Sequence, residues 1–163
     1  MEFRIAHRFP CSPQTYWDAS HDPEYERRSR GDDVDTELIE TREIGSVTFE
    51  RRRVSPRRPL PPLMAKAIGR DRLSYVQEVH FDNSKHSSVW KVLSDVLPDK
   101  VRCSGTSRVV ATPDGCERVI EGKIEVDVFI VGGAIEKHIL EQLQRGYDNA
   151  AAMLTAILPR RTT

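Results

Sequence analysis

The chain has 163 residues, of which 38% are hydrophobic and 31% charged, with a mean hydropathy of −0.52. A chain of this length folding alone buries roughly 70% of the surface that its unfolded form exposes, and this composition argues against a disordered polymer. Its 25 Lys and Arg residues balance 25 Asp and Glu, which excludes a strongly basic nucleic-acid module and long-range electrostatic steering as defaults.

Residues 2–9 alternate loosely at Phe3, Ile5, His7 and Phe9 and predict a first strand. Ser12-Pro13 then supplies a capping hydroxyl and a residue pre-set for the first helical position, so a short helix follows through Tyr16, Trp17 and Ala19. Asp22-Pro23 repeats the signal and opens a second short helix through Tyr25 to about Ser29, ended by Gly31. From Asp33 the texture changes. Segments 34–44, 46–54, 73–82, 87–96, 101–112 and 116–130 are rich in Val, Ile, Thr and aromatics and are bounded by turn residues such as Pro113-Asp114-Gly115. Short turns between successive strands predict an antiparallel meander. A proline-rich segment from Pro56 to Pro62, followed by one helical turn over 63–69, reads as a loop above the sheet.

The strongest periodic signal is the last. After Gly132-Gly133, apolar residues fall at Ile135, Ile139, Leu143, Ala150, Met153, Leu154 and Ile157, a stripe at helical spacing that Pro159 should end. Such a helix, roughly 37 Å long for ~25 residues, is the element able to cover one face of the sheet. The expected fold class is therefore α+β: a curved seven-stranded antiparallel sheet gripping a long C-terminal helix, with two short helices after strand 1. Residues 1–159 should form one domain, with 160–163 a disordered tail. Gly105 and Gly122 interrupt strand patterns, where glycine marks a bend, and Gly146 sits mid-helix. Small residues facing a concave sheet leave volume, although Gly146 could instead permit close helix–sheet contact.

Three cysteines, Cys11, Cys103 and Cys116, are odd in number and lack CxxC spacing, which points to reduced thiols in a reducing compartment. No apolar run approaches the ~20 residues of a membrane span, and Met1-Glu2-Phe3-Arg4 opens no signal-peptide core, so a cytoplasmic location is expected.

The stretch from Phe9 to Asp18, running into His21-Asp22-Pro23-Glu24-Tyr25, resembles the strand-to-helix opening of the START-like superfamily of helix-grip fold. The segment Gly122–Glu136 is similar to the last strand and helix start of an uncharacterised bacterial branch of it, and the element order matches over nearly the whole chain. That superfamily includes polyketide cyclases, relatives of the birch-pollen allergen and lipid-transfer domains. The resemblance implies a cavity between sheet and long helix that takes an apolar ligand. It carries over no catalytic residue, because this fold hosts carriers and enzymes alike.

If Val47 and Phe49 face inward, a period of two brings Arg51 inward too. By the same rule Tyr75 and Gln77 share an inner face, as do Trp90 and Val92, and Ser107 joins Cys103 and Val109. From the helix, Ile135, Ile139 and Leu143 would close the pocket, with His138 at its boundary. The candidate ligand-binding set is thus Phe49, Arg51, Tyr75, Gln77, Trp90, Ser107, Ile135, His138, Ile139 and Leu143, a mostly apolar wall with sparse polar groups. The five histidines lack metal-ligand spacing and no dinucleotide fingerprint occurs, so neither metal nor cofactor is expected. Arg51, Arg52, Arg53, Arg57 and Arg58 are offset by Asp32, Asp33 and Asp35 nearby, which favours a solvated strand end. A headgroup clamp with Leu60, Leu63 and Met64 as a lid is the functional alternative.

These features favour a non-enzymatic carrier or sensor of a hydrophobic small molecule or lipid, with transient membrane contact allowed and nucleic acid disfavoured. A polyketide cyclase or dehydratase-like enzyme ranks second, with His138, Tyr75 and Arg51 as its few inward acid/base candidates. A protein- or RNA-interaction module with a closed core ranks third.

Overall fold

A computed structural model describes residues 1–31 and 33–158. Seven strands, β1 (Glu2–Phe9), β2 (Val34–Ile44), β3 (Val47–Pro56), β4 (Tyr75–Asp82), β5 (Ser87–Ser94), β6 (Val101–Thr112) and β7 (Gly115–Val126), form one sheet in the order β1-β7-β6-β5-β4-β3-β2, antiparallel throughout. The meander from β2 to β7 follows from its tight turns; Gly45, for example, takes the left-handed φ of 61° that the β2–β3 hairpin needs. The N-terminal strand then pairs with the last one, Phe3 opposite Gly122 and Phe9 opposite Cys116.

Helices α1 (Pro13–Ser20) and α2 (Pro23–Ser29) start as their sequences dictate. The Ser12 hydroxyl accepts from the Thr15 N–H at 3.2 Å, and the Asp22 carboxylate accepts from the Glu24 and Tyr25 N–H groups at 3.0 and 3.1 Å. Helix α3 (Pro62–Ile68) ends at Gly69, whose φ of 77° closes it. The long helix α4 spans Gly132–Ile157; the expected stop at Pro159 and the expected tail at 160–163 lie outside the described residues. Just after its first turn Glu136 accepts from the Val126 N–H at 3.0 Å, tying the helix start to the end of β7.

Helix α4 packs mainly against β7, β1 and α2 rather than against the middle of the sheet. The buried core is correspondingly split. One cluster gathers Phe9, Cys11, Tyr16, Trp17, Tyr25, Val109, Cys116, Leu154 and Leu158. The other gathers Ile5, Trp90, Val101, Cys103, Ile120, Ile124, Val126 and Ile135. All three cysteines are buried thiols, none of them in a disulfide.

Gly105 and Gly122 face each other across β6 and β7. A Cβ on Gly105 would meet Trp90 Cζ2 at 2.6 Å, and one on Gly122 would meet Phe3 Cζ at 2.9 Å. The pair leaves a shallow seat on the concave face in which the Phe3 and Trp90 rings lie, their centroids 6.2 Å apart.

Candidate internal ligand site

Between the two core clusters, under α4, the structure holds a cavity of about 800 Å³. That volume lies within the roughly 300–1,000 Å³ typical of small-molecule sites. Its floor is the concave face of β3 to β7, its roof the inner side of α4 from His138 to Ala150, and its ends α1, α2 and the loop before α3. Gly146 lines the roof, and a Cβ there would meet nothing within 4 Å, so this glycine leaves space and does not serve close helix–sheet contact. A second, open groove of about 750 Å³ between β1 and α4 is edged by Glu2, Arg4, Glu141 and Arg145. We take the internal cavity as the candidate because its walls include buried core residues such as Trp90, Cys103 and Val109.

Deep inside, β7 projects Arg118 into the cavity. The side chain keeps some accessible surface although protein surrounds it, because that surface opens on the cavity. Its Nε donates to the Ser107 hydroxyl at 3.2 Å, its guanidinium carbon stands 5.1 Å from the Tyr147 ring centroid, and the Tyr16 phenol lies beside it. Burial works to lower the pKa of this guanidinium and the phenol oxygens of Tyr16, Tyr147 and Tyr25 work to raise it, with a net upward shift, so Arg118 is a cation. Burial also pushes the phenols of Tyr75 and Tyr25 up to about 12, which keeps both protonated.

The end near α2 is polar. Arg52 stands 3.7 Å from Glu26 and 3.3 Å from Glu50, and Arg30 stands 3.6 Å from Glu26. Burial, reinforced by the Glu50 carboxylate, raises the pKa of Glu26 despite these two arginines. Each residue of the arginine-rich segment has a carboxylate neighbour: Arg51 has Glu78 at 2.7 Å, Arg53 has Asp95, Arg57 has Asp35, and Arg58 has Asp33 at 3.2 Å. The charge balance foreseen from the sequence is made by specific pairs, with Glu78, Asp95, Glu26 and Glu50 added to Asp33 and Asp35, while Asp32 lies outside the described residues. Of the expected lid, Leu60 is buried and lines the cavity and Met64 packs on the core, whereas Leu63 is 71% exposed.

Tyr75, Gln77, Trp90, Ser107, His138, Ile139 and Leu143 all line the cavity. Three expected positions do not. Phe49 and Arg51 lie on the convex face, because β3 pairs Glu50 with Val79 and Arg52 with Gln77 and so turns its even-numbered side chains inward. Phe49 is buried there between the Arg42 guanidinium, 5.0 Å from its ring centroid, and the His80 ring at 4.8 Å. Its apolar character therefore set the wrong phase. Ile135 is fully buried in the cluster at the head of α4 and contributes to the core, not to the cavity wall. Sequence reasoning missed Arg118, Tyr16, Tyr25 and Tyr147. Arg118 was within reach, since it continues the inward series Ile124, Ile120 by two more residues, and Tyr147 continues Ile139 and Leu143 at four-residue spacing.

Among the described residues no group of three or more His, Cys, Asp or Glu side chains could hold a metal ion, and no helix is long and apolar enough to cross a membrane. No curated protein sequence matches the chain. Solved structures do. A protein of Thermus thermophilus, TTHA0849, is 20% identical with a TM-score of 0.65, covering 96% of this chain and 95% of its own. Ara h 8.0201 is 9% identical with a TM-score of 0.65, covering 96% and 98%. The Zhui aromatase/cyclase from Streptomyces sp. R1128 is 10% identical with a TM-score of 0.59, covering 99% and 93%. At these identities the likeness is one of fold, and the fold is the START-like helix grip. The family described as "Protein of unknown function (DUF2505)" matches residues 4–158, and the chain belongs to it.

Proposed function

We propose that the protein binds or carries a hydrophobic small molecule or lipid between its sheet and α4. The observation that carries this reading is the cavity itself: about 800 Å³ of space that the protein's own side chains leave unfilled. Close packing is the rule for interiors, and an internal void forfeits dispersion contacts. Desolvating an apolar guest returns about 0.8 kcal/mol per buried methylene, so a dozen methylenes suffice for firm binding after the cost of association. In this reading Tyr75, Gln77, Trp90, Ser107, His138, Ile139 and Leu143 contact the guest. Three buried thiols support a reducing, cytoplasmic setting.

A carrier is preferred to a cyclase-like enzyme on the chemistry of the lining. A general base works best with a pKa near neutrality, whereas burial drives Tyr75 and Tyr25 to about 12. Of the three acid/base candidates, Arg51 faces the other side of the sheet, and only Tyr75 and His138 line the cavity.

The test is uptake of a neutral apolar dye. Nile red should brighten on binding to the purified protein, be displaced by long-chain compounds, and give one-to-one complexes by native mass spectrometry. Absence of both signals would overturn the reading.

A further inference from the structure

We infer that the guest is an organic acid whose single carboxylate pairs with Arg118 while its apolar body fills the remaining cavity. This rests on the cavity-binding reading above and adds the chemical class of the ligand.

Of the other arginines that line the cavity, Arg30, Arg52 and Arg58 each stand within 4 Å of a carboxylate. Arg145 is exposed at the surface. Arg118 differs from all of these: it is enclosed, and among the described residues no Asp or Glu lies within ion-pairing distance of it. Its protein partners are neutral, namely the Ser107 hydroxyl, the Tyr147 ring and the Tyr16 phenol. Guanidinium offers five N–H donors, and the hydrogen bonds to Ser107 and Tyr16 do not use them all.

An unpaired cation is tolerable while water fills the space around it. A wholly apolar guest would expel that water and strand the charge without a partner. A guest bearing a carboxylate removes the penalty, because its two oxygens match the planar donor fork. One cation calls for one negative charge. Arg30, Arg52 and Arg58 are neutralised by Glu26, Glu50 and Asp33 and Arg145 is exposed at the surface, so a doubly charged phosphate would find no second enclosed, unpaired arginine there.

The test compares 1-pyrenebutyric acid with 1-pyrenebutanol at neutral pH. The two share an apolar body and differ in charge, and both are read by pyrene fluorescence. The wild-type protein should bind the acid at least tenfold more tightly. Arg118→Leu should abolish that preference by weakening the acid and strengthening the alcohol, whose binding no longer strands a charge, and Arg118→Lys should restore part of it. Equal wild-type affinities for acid and alcohol would overturn the inference yet leave cavity binding standing. Failure of both compounds and of Nile red to bind would overturn both. The wild-type comparison needs no variant, so a misfolded Arg118→Leu protein does not blunt it.

Discussion

Glu78, on the convex face of β4, is only 6% exposed and serves two cations, Arg51 at 2.7 Å and Lys91 at 3.1 Å. Burial alone would raise its pKa, but its hydrogen bonds from Lys91 and Arg51 and their charges outweigh it, and the net shift is downward from 4.5. A carboxyl with a lowered folded pKa stabilises the native state above its unfolded value and loses that contribution as pH falls through the folded one. Acid denaturation of the wild type should therefore steepen below about pH 4.5, and Glu78→Gln should flatten that limb. Because Arg51 and Lys91 can turn to water, the variant should lose only about 1–2 kcal/mol at neutral pH. Urea titrations at pH 7 and pH 4 check both; an unchanged difference between the two pH values would contradict the assignment. Glu78 also explains why Arg51 could not be read correctly from sequence. The alternation Val47, Phe49, Arg51 is real, but the face it marks is the outer one, where a buried carboxylate and an aromatic pair hold it.

At the scale of elements, the helix starts and hairpin turns were legible because local chemistry set them: capping Ser12 and Asp22, the prolines after each, and the glycine turns of the meander, whereas the last strand ends at Val126 and not at 130 as its apolar run suggested. The phase of β3 was not, because its inward residues Glu50 and Arg52 are charged and belong to the polar end of the cavity. Patterning assumes that inward means apolar, and a ligand site breaks that assumption where it matters most. The same reason hid Arg118. Gly146 gives the element its own test. With open space at its Cβ, Gly146→Ala should stabilise α4 by about 1 kcal/mol, the usual helix-propensity difference. Gly146→Phe should fill the roof of the cavity and weaken Nile red binding at least tenfold while leaving the fold intact by circular dichroism. Undiminished dye binding would show that the guest lies elsewhere.

For the whole molecule, the consequence of the divided core is mechanical. Helix α4 is anchored by Ile135 in one cluster and by Leu154 in the other, both with no solvent exposure. The turns between them, around Gln142, Leu143, Gly146 and Tyr147, overlie the cavity. Hydrogen exchange followed by mass spectrometry should find these amides faster than those beside either anchor. If local opening releases the guest, a ligand at ten times its Kd should slow them about tenfold; a uniform change along the helix would count against this. The C-terminal helix is in effect a beam resting on two piers, and the load placed beneath its free span decides how far it sags.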